Sequence, residues 1–294
     1  MKVIHLEHKQ IDRELWDRRV DGAGVTLPYV YSWYLDAVSP GWEALVSDYG
    51  YTYFMPLTVK ERFGFRYVIQ PRWVQQLGLF SEFEVCGDRV AEFLKSMPYI
   101  VYDFNLNEGN ETGGVQYPNM VIDLSQGYEY IAAGYAENTR RNVRKAREAG
   151  LSVKEITAGE CVGFWSAVNV RMPKDMHTAL SAVAEAAVSR GKATAYGVCA
   201  EDGGLVATLL LLTNGRRAVY LAPASDSRGK ETRAMFLLVD ELLRRYAGTG
   251  MTFDFEGSRI EGVARFYEGF GGQRRHYGRA RHCRPEWLVR MMHR

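Results

Sequence analysis

Three segments of this 294-residue chain hold residues whose types and spacing can do chemistry. The first is Phe253-Asp254-Phe255-Glu256. Strand alternation puts Asp254 and Glu256 on one face and both phenylalanines on the other. Two carboxylates crowded on one face raise each other's pKa, which makes one of them a general base for an amine nucleophile. The competing reading is a structural carboxylate that caps the next helix or pairs with Arg259 or Arg265.

The second segment runs from Pro223 to Thr232, between an apolar strand and a long helix ending near Tyr246. A helix start exposes N–H groups and partial positive charge, which suits a phosphate. Ser227 and Thr232 add hydroxyls, Arg228 and Lys230 add charge, and Gly229 lets backbone approach a ligand. Against this, Ser225, Asp226 or Ser227 can simply be the helix cap. The third segment is Gly262 to Gly271. Val263, Phe266, Tyr267 and Phe270 recur at helical spacing, which reads first as core. Tyr267, at the helix end, can instead hold its hydroxyl in a cleft and protonate a leaving thiolate.

A fourth feature is electrostatic. Arg140, Arg141, Arg144, Lys145 and Arg147 fall within two helical turns, with Arg140, Arg144 and Arg147 on one face. Guanidinium groups bind phosphate in a bidentate way, so this face suits a phosphorylated substrate, a lipid head group or tRNA. A solvated helix face is the plain alternative. The stretch Arg274 to Arg294 is also basic, with His276, Tyr277, Trp287 and His293 interleaved.

The elements that must position these residues follow from pattern. The first third alternates short strands with short helices over Asp12–Val20, Ser32–Ala37 and Asp88–Ser96. Asn107–Gly114 reads as a linker. Residues 128–149 form a helix interrupted near Gly134 and stopped by Gly150. Strands at Thr194–Ala200, Leu205–Thr213 and Arg217–Ala222 are joined by Asp202-Gly203 and Asn214-Gly215, which is hairpin chemistry. A helix to Tyr246, a strand at Met251–Phe255, a short helix at Ile260–Tyr267 and a strand at Arg274–Arg279 complete a mixed α/β order.

Composition narrows the function classes. The chain is long for one domain and comfortable for two. A formal net charge of +2 gives no global signal for DNA or for a membrane surface. Cys86, Cys161, Cys199 and Cys283 form no C-x-x-C pair and read as reduced thiols. None of the six histidines shows metal-binding spacing, so no catalytic metal is expected. The charged N-terminal stretch is unlike a signal peptide, and no apolar run reaches the ~20 residues that span a bilayer. A cytoplasmic location is expected.

Taken in order, these segments resemble the GNAT acyltransferase superfamily. The motifs are the two hairpin turns, the phosphate-type loop before a long helix, and Ala264-x-x-Phe-Tyr267-Glu-x-Phe270-Gly271. Asn138 to Ala146 and Asp254 to Ser258 are similar to the FemAB-like and BioF2-like subgroup. The resemblance covers about residues 135–280. It implies two tandem GNAT-like domains: a degenerate one over 1–125 and a catalytic one over 126–294. It also implies an acyl-CoA, such as acetyl-CoA, as co-substrate. Backbone from Ser227 to Thr232 would hold its pyrophosphate. The strand around Leu221 and Ala222 would splay to admit the pantetheine arm and polarise the carbonyl, and Tyr267 would sit near the sulfur. The acceptor would be a small or phosphorylated amine bound by Arg140, Arg141 and Arg144. The usual loop, Arg/Gln-x-x-Gly-x-Gly/Ala, has Glu231 here in place of its first Gly. FemAB relatives lack that loop too and take aminoacyl-tRNA, so a tRNA-dependent transferase ranks second. A non-catalytic binding module with the same fold ranks third.

Overall fold

The computed structural model describes residues 2–111, 113–257 and 260–283. The chain divides into two compact units. The first holds the residues up to Tyr117 and those from His276 onward; the second runs from Pro118 to Arg275.

In chain order, the first unit contains β1 (Ile4–Leu6), α1 (Arg13–Gly22), α2 (Ser32–Val38), β2 (Glu43–Val46), β3 (Tyr53–Leu57), β4 (Val59–Arg62), β5 (Phe65–Ile69), β6 (Phe80–Ser81), α3 (Gly87–Lys95) and β7 (Val101–Asn105). The second begins with β8 (Tyr117–Asp123), α4 (Tyr128–Ala133), α5 (Glu137–Glu148), β9 (Ser152–Ile156), α6 (Ala158–Val168) and α7 (Lys174–Val188). It continues with β10 (Ala193–Cys199), β11 (Leu205–Thr213), β12 (Arg217–Ser225), α8 (Ser227–Glu231), α9 (Ala234–Tyr246), β13 (Thr252–Asp254), α10 (Glu261–Glu268) and β14 (Gln273–Tyr277). β15 (Arg279–Cys283) returns the chain to the first unit.

Among the described residues, the first unit carries two sheets, ordered β1-β2-β3-β6 and β15-β7-β5-β4. Its core is aromatic, with Trp16 packed on Trp42 and Phe54 at ring distances of 4.8 Å. β3 and β4 follow each other in sequence but lie in different sheets, broken at Thr58, whose hydroxyl donates to the Ile69 carbonyl at 2.7 Å. The unit boundary also differs from 125/126. β8 hydrogen-bonds to β13 and so belongs to the second unit, while β15 pairs with β7 in the first. Nor is Asn107–Gly114 a free linker. Asn107 and Asn110 are buried, and their amides donate to the Leu79 carbonyl at 3.0 and 2.9 Å. A polar run looks like a linker until its side chains find buried partners.

Among the described residues, the second unit is built on a seven-stranded mixed sheet ordered β14-β8-β13-β12-β11-β10-β9. β9 to β12 are antiparallel neighbours. The two hairpin glycines sit in the left-handed region, Gly203 at φ 80° and Gly215 at φ 83°. β12 and β13 are parallel, as a strand–helix–strand crossover requires. The helical stretch expected over 128–149 is α4 and α5, parted after Ala133. The chain is thus mixed α/β throughout. Among the described residues, no helix is long and apolar enough to cross a membrane.

Two irregularities shape the site. Leu210 pairs with Leu221 and Thr208 with Ala224, so Leu209 faces two residues of β12, Ala222 and Pro223. This is a β-bulge, with Ala222 at φ 52°. Pairing of β12 with β13 stops at Val219↔Asp254, whereas β12 continues to Ser225. Among the described residues, β12 has no strand on that side from Tyr220 onward.

Candidate functional site

A cleft of about 420 Å³ opens where β12 loses its neighbour. Its walls are Tyr220 and Ser225 of β12, Gly229 and Lys230 of α8, Arg233 and Phe236 at the start of α9, and Val263, Phe266 and Tyr267 of α10. The walls are mainly apolar, with two cations at the α8–α9 junction. Among the described residues, the Ser225 hydroxyl is buried there without a hydrogen-bond partner. A cleft with an orphaned hydroxyl, an unpaired strand segment and a cationic helix start fits a long, partly apolar phosphorylated carrier.

Tyr267 sits deepest in chemical terms. It is buried, stacked on Phe255 at 4.6 Å and edge-on to Tyr220 at 5.9 Å. Burial, and then the negative charges of Glu256 and Asp254, push its hydroxyl pKa well above the ordinary value. The group therefore stays protonated at neutral pH, which suits a proton donor.

The two acids do not share a face. β13 ends at Asp254, and Glu256 adopts φ 56°, which breaks the alternation. Asp254 is fully buried in an ion pair with Arg217, and its second oxygen accepts the Glu256 N–H at 2.8 Å. Arg265 is not its partner. Arg265 instead faces Glu261 at 3.6 Å, and Arg259 lies outside the described residues, as do Ser258, Trp287 and His293. Asp254 is thus an anchor for the strand end rather than an accessible base. Glu256, partly exposed beside it, keeps the electrostatic link to Tyr267.

Residues 134–266 match the family model described as an acetyltransferase (GNAT) domain. The match lies wholly within the second unit. A comparison with the curated proteins finds no match. Among solved structures, FemX is 12% identical with a TM-score of 0.71, and the likeness covers 100% of both chains. A conserved protein of unknown function from Bacteroides thetaiotaomicron VPI-5482 is 12% identical with a TM-score of 0.60, covering 92% of this chain and 97% of that one. L-PGS from Bacillus licheniformis is 10% identical with a TM-score of 0.51, covering 83% and 85%. At these identities the likeness is one of fold.

The matched segment departs from the expected loop in an ordered way. The long helix is broken in two. Asp226 caps the first piece, accepting the Gly229 N–H at 2.7 Å, so a carboxylate already occupies that helix start. Ser227 is exposed outside the cleft, Arg228 pairs with Asp202 at 2.6 Å, and the Thr232 hydroxyl donates to the Arg228 carbonyl at 2.8 Å. The break is at Arg233, where the usual loop has its last Gly or Ala. Arg233 is left-handed at φ 65°, and α9 begins after it without a side-chain cap. The helix start open to the cleft is therefore that of α9, and Lys230 with Arg233 supplies its charge. Gly229 has a packing reason: a Cβ there would come within 2.2 Å of the Val206 carbonyl oxygen. Leu221 and Ala222 are buried on the bulged segment.

Sequence reasoning did not find Arg217, Arg233 or the bulge. Arg217 carried a signal: a lone cation beginning an apolar strand, with a lone acid ending the strand that follows, is the pattern of a buried pair.

Proposed function

We propose that the protein transfers an acyl group from an acyl-CoA thioester to an amine. The observation that carries this reading is the parting of β12 and β13 beside Tyr267. It leaves a strand edge, a protonated hydroxyl and a cationic helix start around one cleft. Lys230 and Arg233 would hold the pyrophosphate, Ser225 would donate to the carrier, and backbone near Leu221 and Ala222 would polarise the carbonyl. Glu256 would accept the proton of the amine as its nitrogen bonds to the carbonyl carbon. The C–S bond then breaks, and Tyr267 gives its proton to the departing thiolate. Holding both reactants in one cleft would supply much of the acceleration.

Of the three arginines expected to bind the acceptor, Arg140 and Arg144 line a common cleft and stand as the positive face for a phosphorylated or envelope-precursor acceptor, and Arg141 does not line it. The first unit would be a degenerate partner domain, and the reaction would run in the cytoplasm, where acyl-CoA is available. The test is release of free thiol from acetyl-CoA in the presence of a panel of amines, including amino sugars and their phosphates. No thiol release above the Tyr267→Phe variant, and no binding of coenzyme A, would remove this reading. A second reading, transfer from aminoacyl-tRNA, is favoured by the whole-length likeness to FemX. Release of a labelled amino acid from its tRNA, with no use of acetyl-CoA, would select it.

A further inference from the structure

A second cleft lies further along α9, within the same unit. Its volume is about 270 Å³, and it is lined by Tyr128, Ala132 and Tyr135 from α4 and the turn after it, Arg140, Val143, Arg144 and Arg147 from α5, and Asp240 from α9. Three guanidinium groups thus meet in one concavity, against a single lining carboxylate.

That carboxylate is already committed. Asp240 is fully buried, accepts the Tyr128 hydroxyl at 2.7 Å and pairs with Arg147 at 2.7 Å. Arg147 also reaches Glu241 at 3.2 Å, so it is the structural member of the three. Arg244 lies over the Tyr128 ring at 3.7 Å and adds a further cation at the rim. Arg140 and Arg144 are different. Arg140 makes a long 3.5 Å contact to the Ala133 carbonyl, and Arg144 faces Glu148 at 3.8 Å with its side chain 71% exposed. Exposed pairs of that length contribute little, so neither guanidinium is held. Arg141 and Lys145, on the same helix, do not line the cleft.

The geometry points to a phosphate-binding site in this cleft, with Arg140 and Arg144 as the ligands and the Arg147–Asp240–Tyr128 network as its rigid floor. Two planar forks one helical turn apart match the oxygens of a phosphate ester, and the wall of Ala132 and Val143 limits competing water. The site would hold the phosphate of the acceptor. That role rests on the acyl-transfer reading; the phosphate site itself does not.

The experiment is a calorimetric titration of the full chain with inorganic pyrophosphate at low salt, with coenzyme A present to fill the Tyr267 cleft. Two charge-matched variants are compared, Arg140→Gln/Arg144→Gln and Arg141→Gln/Lys145→Gln. Pyrophosphate binding at least tenfold weaker in the first variant and within twofold of wild type in the second is expected. A parallel flotation assay with phosphatidylglycerol against phosphatidylcholine vesicles separates the sources. Binding to pyrophosphate alone identifies a free phosphate ester, and binding to anionic vesicles alone, lost in the first variant only, identifies a lipid head group. Equal weakening in both variants would mean a diffuse positive field and overturn the site, as would no binding to either probe. If coenzyme A fails to bind while the two variants still differ, the acyl-CoA reading falls and the phosphate site stands.

Discussion

Arg217 and Asp254 form a buried ion pair that runs diagonally across β12 and β13, spanning the stretch over which these strands pair among the described residues, from Arg217↔Thr252 to Val219↔Asp254. The pair ties the two ends of that short stretch together. Between Arg217 and Val219 the strands are zipped; from Tyr220 onward β12 is open to the cleft that Tyr267 lines. A carboxylate first expected to do chemistry thereby holds the chemistry's frame.

Removing one partner leaves the other charged and buried. Arg217→Met should therefore lower stability by about 3–5 kcal/mol. The double variant Arg217→Met/Asp254→Leu should recover most of that loss, because two apolar groups need no counter-charge. Denaturant unfolding of the three proteins measures both values.

Tyr267→Phe can keep the ring stack on Phe255 and removes only the hydroxyl. Turnover should fall by about 10²-fold, the low end for general acid catalysis. The dissociation constant for acetyl-CoA should stay within twofold. Steady-state thiol release and calorimetry give the two quantities, and unchanged turnover would take Tyr267 out of the mechanism.

Arg233 has opposite effects on stability and binding. A left-handed non-glycine residue costs about 1–2 kcal/mol, part of which Gly recovers. Arg233→Gly should raise the unfolding free energy by about 0.5–1 kcal/mol. It should also weaken acetyl-CoA binding about three- to tenfold, because a cation is lost at the α9 start. A variant that is both less stable and unchanged in binding would contradict the assignment.

In the first unit, Glu43 is buried among His5, Tyr99 and Arg66, with oxygens 2.6 Å from His5 and from Tyr99. Burial pushes its carboxyl up, but hydrogen bonds from Tyr99, His5 and Arg66 outweigh it and lower the pKa below the ordinary 4.5. The unfolded chain then binds the proton more readily than the folded one. The contribution is full above pH 4.5 and is lost as pH falls through the lowered folded value. Glu43→Gln should cost about 1–3 kcal/mol at pH 7. The gap to wild type should close below pH 4.5 in a series of urea melts.

The sequence by itself determined what local physics controls. The hairpins at Gly203 and Gly215, the break in the helix near Gly134, the apolar run Leu205–Thr213 and the helix carrying Tyr267 were all legible, because turn chemistry and periodicity act within a few residues. The order of those elements was enough to suggest a GNAT fold. Only the tertiary structure decided which charges are spent. Arg217 meets Asp254 from 37 positions away, and Asp226 caps its own helix instead of waiting for a phosphate. Arg147 is locked by Asp240 while Arg140 and Arg144, on the same helix face, are not. Residue type gives a side chain its charge, but whether that charge is available depends on partners that distant parts of the chain bring to it.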